Sequence, residues 1–242
     1  MASAEEHYQR LLARHYTWMR GGFDSKVREY GKVLEELGVS TRRRGKALDL
    51  GAGSGFQTAA LAGLGFRVVS LDSSETLLRE LRERTFGREV RTVLGDMRDV
   101  GAYAAEGPFE AAVCMGDTLT HLGSFDEVSI LIGDVHDVLE EGGKLVLEFR
   151  DYAEELKGVD RAIPVRMDDD KIMITFLEYE PLHVNVHDVV FLKQADGWTT
   201  QKSAYKKLRV STEKVIESLT QTGFRLVEAR EERGFSVIVG RA

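Results

Sequence analysis

The residue types with the most chemical potential centre on one short stretch, Asp49-Leu50-Gly51-Ala52-Gly53-Ser54-Gly55, where a carboxylate stands two positions before a glycine-rich turn. Such a turn between a strand and a helix lets backbone approach a ligand closely, with amide N–H groups and the helix N-terminus directed at it. The spacing is G-x-G-x-G, and Phe56 occupies the place where a dinucleotide fingerprint needs its third glycine. No Lys-Ser or Lys-Thr pair follows, so a triphosphate-binding loop is excluded as well. Asp49 beside the loop repels a pyrophosphate and favours a ligand carrying an ammonium group.

Further acidic residues recur at the next strand ends. Asp72, followed by Ser73, is placed to accept the hydroxyl hydrogens of a ribose, as an acidic residue does in dinucleotide folds. Gly95-Asp96-Met97 can contact an adenine, with Asp96 accepting from its amino group and Met97 offering backbone and apolar contact. In register, Asp49, Gly51, Gly53, Gly55, Asp72, Ser73, Asp96 and Met97 read as a site for S-adenosylmethionine, whose methionine portion presents the ammonium. Met115, closing the fourth strand, is assigned to the same site. Just beyond it, Asp117 and His121 are candidates to orient or deprotonate a methyl acceptor.

The elements that hold these residues alternate. Short apolar strands at 47–50, 67–71, 90–94, 109–115 and 144–149 are separated by helices at 56–64, from Ser73-Ser74 to about Thr85, and at 125–139. That pattern predicts an α/β, doubly wound, mostly parallel, Rossmann-like sheet of seven strands, completed by a helix at 211–222 and two closing strands. The S-adenosylmethionine-binding core spans residues 45–150, and residues 210–242 complete its sheet. Between them, residues 151–209 change to a period of two, predicting an inserted three-stranded antiparallel sheet over the active site. Its strands are 171–180, 183–193 and 198–208, with Asp196-Gly197 as the last hairpin turn. His183 and His187 share one strand face, and His183 is a candidate wall of the acceptor pocket. Asp168-Asp169-Asp170 reads as a solvated turn rather than a metal site, and no metal is expected.

Residues 1–44 read as an N-terminal helical segment of two helices that break at Gly21-Gly22, with Asp24 and Ser25 as caps of the second. Tyr16 and Trp18, with Met19, make an aromatic patch ahead of the break. They are expected to contact the cofactor as part of a mobile lid hinged at the glycine pair.

Bulk properties narrow the partners. The chain has 242 residues, 43% of them hydrophobic, and a formal charge of -7, which argues against a broad nucleic-acid footprint. The run Arg42-Arg43-Arg44 reads as a solvated connector. The single cysteine, Cys114, sits in an apolar strand and excludes an internal disulfide and a cysteine-based zinc cluster. No apolar run approaches the roughly 18 residues that span a bilayer. The N-terminus lacks a secretory h-region, so a cytoplasmic location is expected; the oligomeric state is left open.

The motifs D-L-G-A-G-S-G, V-V-S-L-D, L-G-D-M and E-E-G-G-K-L-V-L-E-F resemble the ordered motifs of class I S-adenosylmethionine-dependent methyltransferases over roughly residues 45–150. Within that family, the stretch from Cys114 to Leu122 is similar to C-L-G-N-S-F-A-H-L of glycine and sarcosine N-methyltransferases, and Phe149-Arg150-Asp151-Tyr152 to their H-R-N-Y. The resemblance implies that Arg150 binds an acceptor carboxylate. Asp117 and Asp151 stand where those enzymes have Asn, and a carboxylate at either place is expected to compete for Arg150. The resulting expectation is methyl transfer to a small-molecule amine or hydroxyl by in-line displacement, in which proximity supplies most of the acceleration. Alternatives are a nucleic-acid methyltransferase, for which an Asn-Pro-Pro-Tyr-type tetrapeptide is lacking at 116–119, and a non-catalytic S-adenosylmethionine-binding module. An oxidoreductase with a nucleotide cofactor is disfavoured by Asp49 and Phe56.

Overall fold

The computed structural model describes His7, residues 11–41 and residues 43–242. Seven strands form one sheet in the order β10-β11-β5-β4-β1-β2-β3. The parallel strands are β1 (Lys46–Leu50), β2 (Arg67–Asp72), β3 (Val90–Leu94), β4 (Phe109–Cys114) and β5 (Leu139–Phe149). Antiparallel β10 (Arg225–Glu232) and β11 (Phe235–Arg241) close the β5 edge. The sequence-predicted seven-stranded, mostly parallel sheet is therefore present.

Both faces of that sheet are covered, which is why its central strands are near-continuous apolar runs. Leu48 and Leu50 of β1 pack with Leu131 and Val135 of α5 (Phe125–Val138) and Leu219 of α6 (Thr212–Thr222). On the other face Ala47 packs with Leu34 of α2 (Phe23–Glu36), Phe56 of α3 (Phe56–Gly63) and Leu77 of α4 (Glu75–Arg84). Each such buried leucine stabilises the fold by about 1.5–3 kcal/mol relative to exposure. Ser74 caps α4 by accepting from Leu77 N, a contact worth about 1 kcal/mol, and Ser211 caps α6 through Lys214 N.

The cap of α2 differs from expectation. Gly22, at φ 93°, precedes Phe23, and neither Asp24 nor Ser25 caps the helix; Asp24 sits in its first turn, where its charge suits the helix dipole. The preceding helix α1 spans Ala13–Met19. Of the basic run, Arg42 lies outside the described residues, while Arg43 and Arg44 are exposed ahead of β1. The expected helix start near residue 4 also lies outside them.

The inserted sheet has four strands rather than the expected three, in the order β6-β7-β8-β9. β7 (Lys171–Tyr179), β8 (His183–Gln194) and β9 (Gly197–Leu208) match the predicted alternation. The extra strand, β6 (Ala162–Met167), is an exposed edge carrying Pro164 and a register shift between Pro164 and Arg166. Proline and a bulge are tolerated only at such an edge, and together they erase the period-two signal. The β8–β9 hairpin turns at Ala195-Asp196, one residue earlier than expected, because Gly197 pairs with Gln194. Asp168 closes the β6–β7 turn, its carboxylate accepting from the Asp170 and Lys171 amides.

Candidate active site

The C-terminal ends of β1, β2 and β3 converge on a cavity of about 360 Å³, within the range of ligand sites. Gly51, Gly53, Asp72, Ser73, Asp96 and Met97 line it, as does Tyr16 of α1. Gly51 has φ +71°, and a Cβ there would lie 2.2 Å from Thr118 Cγ2; only glycine lets the loop pass so close to the turn after β4. Gly55 supplies the N-cap of α3.

The loop amides turn inward rather than toward the cavity. Gly51 N and Ala52 N donate to Leu71 O at 2.8 and 3.0 Å, Gly53 N to Asp72 Oδ2 at 2.8 Å, and Gly55 N to Ala52 O at 2.9 Å. A pyrophosphate needs those donors, and here a carboxylate already holds one of them. Asp72 also accepts from Ser74 N at 2.8 Å; burial raises its pKa, and these two amide bonds oppose that shift. The wall it presents accepts hydrogen bonds, which suits hydroxyl groups.

Asp49 does not line the cavity. It is 1% exposed beneath the loop and accepts from Thr58 Oγ1 at 2.6 Å. Burial pushes its pKa up to about 7, with the Thr58 hydrogen bond opposing and Asp72 adding to the rise. Asp96 is exposed and held in a bidentate pair by Arg98, whose Nη1 also reaches Glu127 at 3.0 Å. The hydrogen bond from Arg98 holds the Asp96 pKa down. Arg98 thereby ties the loop after β3 to the start of α5 across the cavity mouth.

Besides Asp49 and Gly55, which are absent from the cavity lining, three expected cofactor or acceptor contacts lie elsewhere. Trp18 is two residues from Tyr16 and so about 200° around α1. It faces the inserted sheet instead, where its Nε1 donates to Asp168 and its ring meets Arg166 and Lys171. Met115 is buried in the core beside Val113, and only its carbonyl touches the site, accepting from Thr118 Oγ1 at 2.9 Å. His183 is on the wrong face of β8. The even-numbered Val186 and Asp188 face the second cavity, while His183 meets the Gly123 carbonyl at 3.3 Å. His187 pairs with Glu178 at 3.3 Å, and no group of three or more metal-ligating side chains occurs among the described residues.

That second cavity is a cleft of about 600 Å³ between the sheet core, α1 and the inner face of the inserted sheet. Asp117 and Arg150 line it, and Tyr16 lines both it and the first cavity. The turn after β4 is the partition: Asp117 faces the cleft, whereas Thr118 and His121 face the cavity.

Asp117 is 4% exposed with φ 78°, a left-handed conformation that Asp and Asn tolerate better than most residues. Its carboxylate accepts from Arg150 N at 2.9 Å, Thr120 Oγ1 at 3.2 Å and Tyr152 Oη at 3.4 Å, and it forms an ion pair with Lys207 of β9. Burial pushes its pKa up, but the Lys207 charge and the hydrogen bonds from Arg150 N and Lys207 outweigh burial and leave it lowered. Burial, aided by the Lys207 charge, pushes His121 down to about 3, so its imidazole is neutral. Its ring stacks on Tyr205 at 5.6 Å, and His7 stacks on that tyrosine at 4.1 Å while bonding Asp188 at 3.0 Å.

Neither feared competitor takes Arg150. Asp117 is paired with Lys207, and Asp151 accepts from the amide and hydroxyl of Thr212, both at 2.8 Å. The Arg150 guanidinium lies 4.4 Å over the Phe235 ring and has no ion-pair partner among the described residues. Lys207, Tyr205 and His7 were not legible as site residues; the one weak signal was a lysine at a core-facing position of an alternating strand.

Residues 47–143 match a family model described as a methyltransferase domain. The matched segment runs from β1 into β5 and takes in the glycine loop, Asp72 and Asp96. A glycine/sarcosine N-methyltransferase of Aphanothece halophytica is 32% identical over 123 residues, covering 50% of this chain and 44% of that protein. The chain spans about half the length of the curated relatives it matches. Among solved structures, an amino pentose methyltransferase from Micromonospora echinaspora has a TM-score of 0.77 at 20% identity, covering 95% of this chain and 96% of its own. The CcbJ methyltransferase from Streptomyces caelestis has a TM-score of 0.78 at 22% identity, covering 97% of both chains. These two likenesses share the whole architecture, inserted segment included, and show the methyltransferase fold.

Proposed function

We propose that this protein transfers a methyl group from S-adenosylmethionine to the nitrogen of a small-molecule amine. The observation that carries the reading is the pair of cavities meeting at Tyr16, one built on the glycine loop and one under the inserted sheet. The residues of the first fit the cofactor: glycines with no room for a Cβ, a hydroxyl-accepting carboxylate at Asp72, and the apolar Leu71, Met97 and Leu122. When bound there, S-adenosylmethionine supplies an electrophilic methyl on a sulfonium, a leaving group that departs neutral.

In this reading Asp72 and Ser73 hold the ribose, Met97 the adenine, and Gly51 and Gly53 allow close approach to the methionine portion. Asp49 supports the ammonium from beneath the loop by its charge. The Asp96 pair with Arg98 keeps that wall in place. Tyr16, on a helical lid over both cavities with Gly21-Gly22 as hinge, aligns donor and acceptor and excludes water. Arg150 binds an anionic group of the acceptor.

The cleft favours nitrogen over oxygen. A hydroxyl needs a base, yet Asp117 is held ionised by Lys207, and His121 with a pKa near 3 is too weak to take a proton from a phenol. An amine entering as its free base needs neither, and it releases its proton to solvent after transfer. Asp117 then orients the acceptor rather than deprotonating it, while His121 lines the cofactor cavity on the other side of the turn after β4. The names of the relatives, which act on glycine, sarcosine and an amino pentose, support the same choice. The acidic composition supports a small acceptor rather than nucleic acid. No described helix is long and apolar enough to cross a membrane.

The test is methyl-labelled S-adenosylmethionine with a panel of carboxylated amines, neutral amines, amino sugars, phenols and bulk RNA. Label entering amines is the expected result. Label only in phenols or RNA overturns the acceptor class, and S-adenosylhomocysteine binding without transfer to any acceptor favours a binding module.

A further inference from the structure

Lys207 is 8% exposed, and its ammonium ends on Asp117, inside the cleft, from a strand of the inserted sheet. A buried carboxylate beside Arg150 would claim that guanidinium if nothing else balanced its charge. We propose that Lys207 is a specificity-determining residue: as the counter-ion of Asp117 it leaves Arg150 the uncompensated half-buried charge of the acceptor cleft, and so selects acceptors that carry an anionic group besides the amine. The other charges there are matched or peripheral. Arg20 donates to Tyr30 Oη at 2.6 Å and its charge acts on the buried Glu148 carboxylate. Asp151 is taken by Thr212, Asp188 by His7 and Thr175, and Lys26 by Glu29; Glu154 and Glu231 stand exposed at the rim. Lys207 also lies 5.7 Å from the Tyr205 ring, which holds the ammonium against the cleft wall. The selection rests on the methyl-transfer reading above, whereas the counter-ion relationship does not.

Two measurements separate these layers. Steady-state labelling compares the wild type, K207M, D117N and D117N/K207M on acceptor pairs that differ by an anionic group: ethanolamine against O-phosphoethanolamine, and glucosamine against its phosphate ester. The wild type favours the anionic member of each pair. In K207M, Asp117 turns its charge on Arg150, so KM for the anionic member rises about tenfold while kcat changes less than about threefold. The double variant, with both charges gone, returns KM to within about threefold of the wild type.

Melting curves at pH 5 and pH 8 need no acceptor. The titratable and charged groups facing the pair are His121, Tyr152, Cys114, Tyr205 and Arg150, with His7 and Asp188 across Tyr205, and all of them are common to every variant. Without Lys207 the buried Asp117 carboxyl has its pKa raised above the unfolded value, so stability is lost as pH rises. K207M therefore loses about 5 °C more than the wild type between pH 5 and pH 8, and the double variant does not. Equal loss of kcat on both members of each pair, or a double variant no better than K207M in KM, overturns the selection. A K207M melting profile parallel to that of the wild type overturns the counter-ion assignment itself. If the wild type labels no amine yet binds S-adenosylhomocysteine, the methyl-transfer reading and the selection fall together, and the melting curves alone decide the ion pair.

Discussion

Tyr16 rests on Gly53: a Cβ built on that glycine would stand 3.1 Å from Tyr16 Cε1 and 3.4 Å from its phenol oxygen. The ring is also stacked at 5.8 Å on Phe56, the first residue of α3, so it has little room to retreat. One contact thus links the N-terminal helix, the glycine loop and the wall shared by both cavities.

Gly53→Ala places a side chain at φ +54° and pushes the Tyr16 ring away. Left-handed backbone costs about 1–2 kcal/mol for a non-glycine residue. The expected result is at least about tenfold weaker S-adenosylhomocysteine binding by calorimetric titration, since tenfold corresponds to about 1.4 kcal/mol. Unchanged affinity would mean that the loop does not approach the ligand.

Asp72→Ala removes the acceptor of both Gly53 N and Ser74 N. Leaving a buried donor unpaired costs about 1–3 kcal/mol, and the cavity also loses its hydroxyl-accepting wall. S-adenosylhomocysteine affinity should fall about a hundredfold, with Asp72→Asn losing less because its amide oxygen still accepts. Equal losses in the two variants would argue against this hydrogen-bond account.

Asp49 has a folded pKa of about 7, above its unfolded value. The folded state therefore binds the extra proton, and stability drops as pH rises from about 4 to 7. Urea unfolding of the ligand-free protein should show this slope relative to Asp49→Asn, which cannot ionise. Parallel pH profiles for the two proteins would place the Asp49 pKa in the ordinary carboxylate range.

His121 acts in the opposite direction. Its pKa is depressed to about 3, so the unfolded state binds the proton first and stability is lost as pH falls below about 6.5. His121→Asn should flatten the acid limb of the unfolding profile between pH 6.5 and pH 3. In turnover, the wild-type pH–rate profile should carry no inflection that His121→Asn removes between pH 6 and pH 8. Such an inflection would make His121 a base after all.

The order of strands and helices was legible because the central strands of the core are apolar on both faces and α4, α5 and α6 each start at a capping serine. Ser74 and Ser211 announce their helices, and Gly223 ends α6 at φ 110°. The glycine loop, Asp72, Ser73, Asp96 and Met97 line one cavity for a related reason: successive parallel strands all end on the same side of the sheet. β6 escaped because an exposed edge with a proline and a bulge has no required alternation. Trp18 and His183 went astray because being near the right residues in sequence does not set a helix angle or a strand face.

From the sequence alone, then, came the parallel core, its cofactor-type loop and the acidic residues at its strand ends, all of which are local or periodic features. What the tertiary structure decided was the electrostatics of the cleft. Asp117 and Asp151 look like rivals for Arg150 in the sequence, and only the folded chain brings Lys207 and Thr212 onto them. Lys207 is 90 positions from Asp117 and belongs to another sheet. No local pattern encodes such a pairing, because the free energy of a buried charge depends on what folding places beside it.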